Sequence, residues 1–219
     1  KRQSYMNLPE RELHYPFGDE LPEPGSTMEV APGVRWVRMV LPFALNHINL
    51  WLLRDEIDGR DGWTVVDCCI AREEARTQWE QIFATQLEGL PILRVIVTHM
   101  HPDHIGMAGW PTRRYGLRLW IPRLEYLSCR ALTADTQREA PAGALGVYRE
   151  AGWSAAAVEA YRARFGNFGR HIHPLPDSYT RLQDGDIVRI GDHDWEVVSG
   201  NGHSPEHSCF YCADLKLLI

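Results

Sequence analysis

Apolar residues fall along this chain in short runs with two different periods. Val34-Arg35-Trp36-Val37-Arg38-Met39-Val40, His47-Ile48-Asn49-Leu50-Trp51-Leu52-Leu53 and Trp63-Thr64-Val65-Val66-Asp67 have the length and β-branched or aromatic content of strands. The turn Asp58-Gly59-Arg60-Asp61-Gly62 separates the last two, which predicts an antiparallel start. From Ala71 the period changes: Ala71, Ala75, Trp79, Ile82, Phe83 and Leu87 recur close to helical spacing, until Gly89 and Pro91 end the helix. Ile92-Leu93-Arg94-Val95-Ile96-Val97 then reads as a buried strand, and Gly106 to Trp110 opens a short helix behind it. Leu117 to Ile121 is another strand. Pro122 to Leu132 and Ser154 to Phe165 read as helices, separated by a Pro- and Gly-containing connection from Ala140 to Gly146. Asp186 to Ile190 and Trp195 to Ser199 form a hairpin closed by Gly191-Asp192-His193-Asp194, and Leu215 to Ile219 has the pattern of a final strand. Strands followed by strand-helix-strand units predict α/β layers. Residues 1–32 carry Pro9, Pro16, Pro22, Pro24 and Pro32 and read as an arm over the surface, so 33–219 is taken as the folded domain, with a helical insert at about 122–180.

Composition sets the class without choosing a function. With 219 residues, 44% hydrophobic and 24% charged, the chain is long enough to bury a real core. A formal net charge of −6 argues against a nucleic-acid backbone as the main partner, because such binding relies on clustered Lys and Arg. No window approaches the roughly 20 apolar residues of a membrane span, and the first residues lack the apolar stretch of a signal peptide, so a cytoplasmic protein with no membrane partner is expected. The five cysteines, Cys68, Cys69, Cys129, Cys209 and Cys212, are odd in number and scattered, which fits a reducing compartment. Cys209 and Cys212 have the spacing of half a zinc knuckle but no second pair, and are read as structural.

The chemistry concentrates in Thr98-His99-Met100-His101-Pro102-Asp103-His104, directly after the buried strand. In extended backbone His99, His101 and Asp103 project to one side as the chain loosens into a loop, and Pro102 keeps His101 away from helical angles. Three imidazoles and a carboxylate within six residues have little structural use, whereas together they suit zinc and also manganese or iron. Downstream, Gly200-Asn201-Gly202-His203 places glycines where a backbone would approach an ion closely. His171 and His173 flank Ile172 but are followed by Pro174 and Pro176 and have no matching carboxylate, so they are read as loop histidines. Substrate contacts are expected from the insert, which offers Tyr148, Trp153, Tyr161, Phe165 and Phe168 with Arg162, Arg164 and Arg170, although aromatics at helical spacing more often form a core.

The run His-x-His-x-Asp-His resembles the metal-binding signature of the metallo-β-lactamase fold superfamily, which includes β-lactamases, glyoxalase II-type thioesterases, lactonases and RNase Z-type nucleases. The resemblance implies an αββα sandwich, each half a sheet covered by helices. It assigns His99 and His101 to one metal and Asp103 and His104 to a second. Gly202-His203-Ser204 resembles the superfamily's Gly-His-Ser/Thr motif, so His203 completes a three-histidine site with one position open, as in catalytic zinc centres. Asp67, where family members often have Asp with Gly two residues on, would hold a ligand in place by a hydrogen bond. A solvated or helix-capping Asp fits that position equally well. His207 matches a histidine of thioesterase-like members and would likewise support the ligands from outside. Cys69 stands where the family's Gly is expected.

The chain also departs from the pattern. The bridging Asp that members carry after the next strand, and a further His, have no counterpart before Ile219, and Asp214 precedes that strand in what reads as a turn. The expected sandwich is therefore incomplete in its C-terminal half. A truncated or processed chain, a remainder supplied by another polypeptide such as a second copy in a homo-oligomer, and a degenerate member all fit. The function expected is a metal-dependent hydrolase that uses Zn2+, one or two ions, or Mn2+ or Fe2+, on a small-molecule ester, thioester, lactone or lactam. In it Asp103 orients the nucleophile and relays its proton. The alternatives are a non-catalytic metal-binding module and an RNase Z-like nuclease.

Overall fold

The computed structural model describes residues 9–219, so the first eight residues of the expected arm lie outside the described part. The first sheet has seven strands in chain order: β1 (Met28–Ala31), β2 (Val34–Val40), β3 (His47–Ile57), β4 (Arg60–Val66), β5 (Ile92–Ile96), β6 (Leu119–Pro122) and β7 (Thr180–Leu182). Strands β1 to β4 pair antiparallel, and β4 to β7 pair parallel. The second sheet comprises β8 (Ile187–Ile190), β9 (His193–Gly200), β10 (His207–Cys212) and β11 (Leu217–Leu218), all antiparallel in the order β11-β10-β9-β8.

The switch from antiparallel to parallel follows from what covers each strand. The parallel strands run apolar almost without interruption because both faces are buried. In β5, Val95 packs toward the helices while Ile96 faces the second sheet. Between the sheets Val34, Leu53, Val66, Ile96 and Leu182 meet Val188, Ile190, Trp195, Val197 and Phe210. On the other face of the first sheet lie α1 (Glu73–Thr85), α2 (Pro102–Ile105), α3 (Gly109–Tyr115) and α4 (Arg123–Ala134). Helix α1 buries Ala75, Trp79 and Ile82, an i, i+4, i+7 stripe, and its acidic Glu73 and Glu74 sit in the first turn where the helix dipole favours them. The helices α5 (Ala142–Glu150) and α6 (Ala155–Arg164) complete the insert. This is the helix-sheet-sheet part of the αββα sandwich. On the outer face of the second sheet Ile187, Val198, Tyr211 and Leu218 are exposed, and β11 is an edge strand.

Two expectations need correction. The arm ends sooner than residue 32, because Met28 to Ala31 pairs with β2 as an edge strand of the first sheet. The connection from Ala140 to Gly146 is the start of α5: Pro141 occupies the N-cap in extended backbone, and Gly143 and Gly146 are tolerated in a helix that buries Leu145. In the same hairpin Tyr148 stacks on Trp153 with centroids 4.3 Å apart and lies 4.5 Å from Tyr161, which in turn contacts Phe165. These aromatics pack on one another outside the two main core clusters, with Trp153 exposed, so they are not the core that their spacing suggests.

A buried ion pair ties the two sheets at the end opposite Thr98. Asp55 on β3 accepts hydrogen bonds from the Thr64 hydroxyl and from Arg94 Nε at 3.0 Å, and Arg94 Nη2 donates to the Arg189 carbonyl on β8. The other Asp55 oxygen accepts the Gly191 amide at 2.9 Å. Gly191 is needed there: its φ is +55°, and a Cβ would sit 2.6 Å from the Arg54 carbonyl oxygen. Replacing Asp55 with Ala leaves the Arg94 charge buried without its partner and should cost about 3–5 kcal/mol. Urea unfolding measures this, and a loss below about 1 kcal/mol would show that the pair is dispensable.

Candidate metal centre

The site forms where β5 and β9 end. Beyond β5 the chain bends at Thr98 and Met100, returns to extended backbone at His101 (φ −62°, ψ 142°), and Pro102 then opens the single turn α2 as its first residue, a place where its fixed φ fits and its missing N–H costs nothing. The sequence pattern predicts a loosening loop here. Asp103 and His104 instead sit on this helical turn, while His99 and His101 lie in the bent segment between β5 and α2.

The loop after β4 holds this turn from behind. Asp67 and Cys69 both adopt left-handed backbone, with φ of +62° and +67°. That conformation at Cys69 explains why a glycine would suit the position. The Cys68 amide donates to the His104 carbonyl, the Met107 amide donates to the Cys69 carbonyl, and the Trp79 indole of α1 donates to the Cys68 carbonyl. Gly106 is packed between these segments; a Cβ there would lie 2.4 Å from the Pro102 carbonyl oxygen.

Asp67 is buried and its carboxylate collects three donors. One oxygen accepts the Thr98 amide at 2.8 Å; the other accepts the Thr98 hydroxyl at 2.7 Å and His104 Nδ1–H at 2.7 Å. The Thr98 hydroxyl has spent its proton on Asp67, so it accepts at 2.9 Å from Nδ1–H of His99. This assigns the tautomer of His99 and leaves its Nε2 with a lone pair. That nitrogen is buried and has no hydrogen-bond partner. Burial pushes the His99 pKa down to about 2, aided by the His104 charge. Burial also works against a charged His104, but the Asp67 charge and hydrogen bond outweigh it and raise that imidazole above its ordinary 6.5.

His203 reaches the same place from the turn after β9. One ring nitrogen each of His99, His101 and His203 lies within 4.8 Å of the others, and the three run from buried through half-buried to exposed, so the cluster opens to solvent on one side. His101 Nδ1 and His203 Nε2 are 3.0 Å apart, a contact that requires a proton or a cation between two lone pairs. Nitrogens sharing a tetrahedral zinc stand about 3.3 Å apart, given Zn–N bonds of about 2.0–2.1 Å. The unpartnered His99 Nε2 and this close pair fit a metal, and imidazole donors suit zinc or iron, whereas manganese would draw on a carboxylate as well.

The remaining predicted residues are nearby in different ways. Asp103 Oδ2 lies 3.6 Å from His104 Nε2. The His207 ring sits 4.6 Å from that of His99, outside the three-histidine group. Asp214 is not at the site: it lies in the turn after β10, 3.6 Å from His193. His171 and His173 serve the backbone, the carbonyl of His171 accepting the Ala71 amide and the amide of His173 donating to the Gly106 carbonyl. At the His203 turn a Cβ at Gly200 or Gly202 would meet no protein atom within 4 Å and neither has a positive φ, so protein packing does not demand glycine at either position. That turn is held instead by Glu125 of α4, a residue the sequence reading passed over. A lone Glu in an amphipathic helix carries no sign of burial, except that it precedes Tyr126 and Cys129 on the apolar stripe.

Residues 45–219 match the family model of the metallo-β-lactamase superfamily. The chain resembles the solved structure of a β-lactamase domain protein from Burkholderia ambifaria at 47% identity and a TM-score of 0.85, covering 97% of this chain and 60% of that one. A metallo-β-lactamase family protein from Thermus thermophilus shares the fold at 24% identity and a TM-score of 0.66, with 87% and 59% covered. A subclass B3 metallo-β-lactamase of Bradyrhizobium japonicum does so at 14% identity and 0.57, with 87% and 57% covered. Curated protein sequences give no match. The chain thus spans about 60% of the length of these solved relatives. Two packed sheets with a cluster of three histidines at their strand ends make this an α/β sandwich with a group that could hold a metal ion. The chain belongs to the metallo-β-lactamase superfamily.

The pKa directions predict how the metal-free protein responds to acid. His99, His101 and His207 are all held below the ordinary 6.5, chiefly by burial. Below 6.5 the unfolded chain binds protons at these positions that the folded chain refuses, so their stabilisation is present above 6.5 and is lost as pH falls. His104 is shifted upward and acts in the opposite sense, losing its contribution as pH rises through its folded value. With three groups against one, the urea midpoint of chelated protein should fall between pH 7.5 and pH 5. A midpoint that is flat or rises over that range would mean that the cluster is not held neutral.

Proposed function

We propose that this protein is a metal-dependent hydrolase in which His99, His101 and His203 bind a metal, and Asp103 and His104 take part in binding a second. The observation that carries this reading is the buried, unpartnered Nε2 of His99, aimed at a cluster with two further imidazole nitrogens. When bound, the metal supplies a Lewis acid that makes water nucleophilic near neutral pH and polarises a carbonyl oxygen. The chain's own residues do the rest. Asp67 fixes the ring of His104 directly and that of His99 through Thr98, which sets the orientation of both rings and frees the Nε2 lone pair of His99. Asp103 is half-buried beside His104, placed to orient the attacking water and accept its proton on a carboxylate oxygen. His207 backs the His99 ring.

Esters and thioesters rank first among substrates, followed by lactones and β-lactams, since a net charge of −6 does not favour a phosphate backbone. A second reading is a non-catalytic metal-binding module, in which the three histidines hold an ion and Asp214, 3.6 Å from His193 rather than at the cluster, takes no part. Hydrolysis of a panel of activated esters, thioesters and lactones separates the two. Activity that vanishes with chelator and returns with zinc or manganese supports the enzyme; silence of the metal-loaded protein across the panel supports the module. His101→Ala should remove activity by at least about a hundredfold and lower bound metal together. Loss of either one alone would overturn the assignment of His101 as a ligand.

A further inference from the structure

The three histidines come from two segments that share no strand pairing at the ligands themselves. His99 and His101 lie between β5 and α2, and His203 lies between β9 and β10. Something must set the distance between these segments, and the metal-ligand residues do not do so on their own. Backbone contact helps at one point, where the Ser208 amide donates to the Thr98 carbonyl at 3.0 Å. The other connection runs through a side chain of a third element.

Glu125 of α4 is fully buried, and both of its oxygens are used. Oε2 accepts the Met100 amide at 2.8 Å, from the residue between His99 and His101. Oε1 accepts the Ser204 hydroxyl at 2.8 Å and the Glu206 amide, from the residues on the C-terminal side of His203. The donors on both sides are thus adjacent to ligands, or within three residues of one. A neighbouring link strengthens the same joint, since Glu206 accepts the Leu124 amide at 2.8 Å. We propose that Glu125 is a positioning residue that clamps the two ligand-bearing segments together and so sets the geometry of the three-histidine site.

The residue type matters. All three groups facing Glu125 are donors, so the position demands an acceptor at both oxygens. Glutamine has nearly the same shape but offers one oxygen, and its NH2 would face an N–H or O–H donor on one side of the clamp. A hydrogen bond to a charged acceptor contributes more than a neutral one, and a buried donor left unpaired costs free energy. Glu125→Gln therefore opens one jaw of the clamp while preserving volume. Ser204→Ala removes a single donor and leaves the rest.

The inference rests on the metal-binding reading, and the test keeps the two apart. Zinc affinity is measured by chelator competition for the unaltered chain, Glu125→Gln and Ser204→Ala. The absorption spectrum of each cobalt-loaded protein and the thermal midpoint of each metal-free protein are recorded alongside. Glu125→Gln should bind zinc about 10–100-fold more weakly and shift the cobalt bands, as expected when a residue that orients ligands is lost. Ser204→Ala should weaken binding in the same direction by a smaller factor. A lower thermal midpoint with unchanged zinc affinity and unchanged cobalt bands would overturn the proposal and leave Glu125 a packing residue. Should Glu125→Gln fail to fold, Ser204→Ala decides, and unchanged affinity and bands in that variant overturn the clamp. An unaltered chain that binds no zinc would overturn the metal reading first, and the clamp with it.

Discussion

A buried imidazole nitrogen of His99, its lone pair free and two further histidines gathered beside it, is the arrangement on which the rest of this structure depends. Such an arrangement is unfavourable on its own, because buried acceptors without donors lose their hydration and gain nothing. The chain meets the cost by fixing the opposite nitrogen of each buried ring. Asp67 grips His104 directly and His99 by way of Thr98, which fixes both rings and leaves the inward nitrogen of His99 without a proton. The left-handed backbone at Asp67 and Cys69, the close passage of Gly106 and the indole of Trp79 all serve to keep that carboxylate in place. A superfamily of metal-dependent hydrolases is the context in which such a site has a use.

Much of this was legible in the sequence, for a physical reason. The strands β2 and β3 and helix α1 could be read because burial on defined faces imposes periods of two and 3.6 on residues such as Leu50, Leu52, Trp79 and Ile82, and β4 and β5 because burial on both faces leaves short apolar runs. The histidine cluster stood out because ligand-type residues at the end of a buried run have few competing uses, and the structure brings His99, His101 and His203 within reach of one ion. Asp67 was visible only as one of two equally good readings; nothing local distinguishes a capping aspartate from one that collects donors from residues thirty and more positions away.

What escaped was non-local or locally ambiguous. Glu125 binds donors at Met100, Ser204 and Glu206, and no pattern within a helix reports partners on other elements. Residues 142–150 carry two glycines and follow a proline, which locally signals a break, yet packing of Leu145 and the ring stack of Tyr148 carry the helix. The short edge strand at Met28 to Ala31 exists because β2 offers it a free ladder; four residues among prolines do not announce that by themselves.

The spacing of the ligands also bears on how the chain reaches this state. His101 and His203 are 102 residues apart in sequence, so the site is closed by one of the longest-range contacts in the molecule. Loop closure over such a span is slow and entropically costly, whereas hairpins such as β2–β3 and β8–β9 join neighbours in the chain. The metal-binding geometry therefore exists only while the second sheet is docked on the first. An ion held by all three imidazoles acts as a cross-link between early and late parts of the chain, resisting the separation of the two sheets.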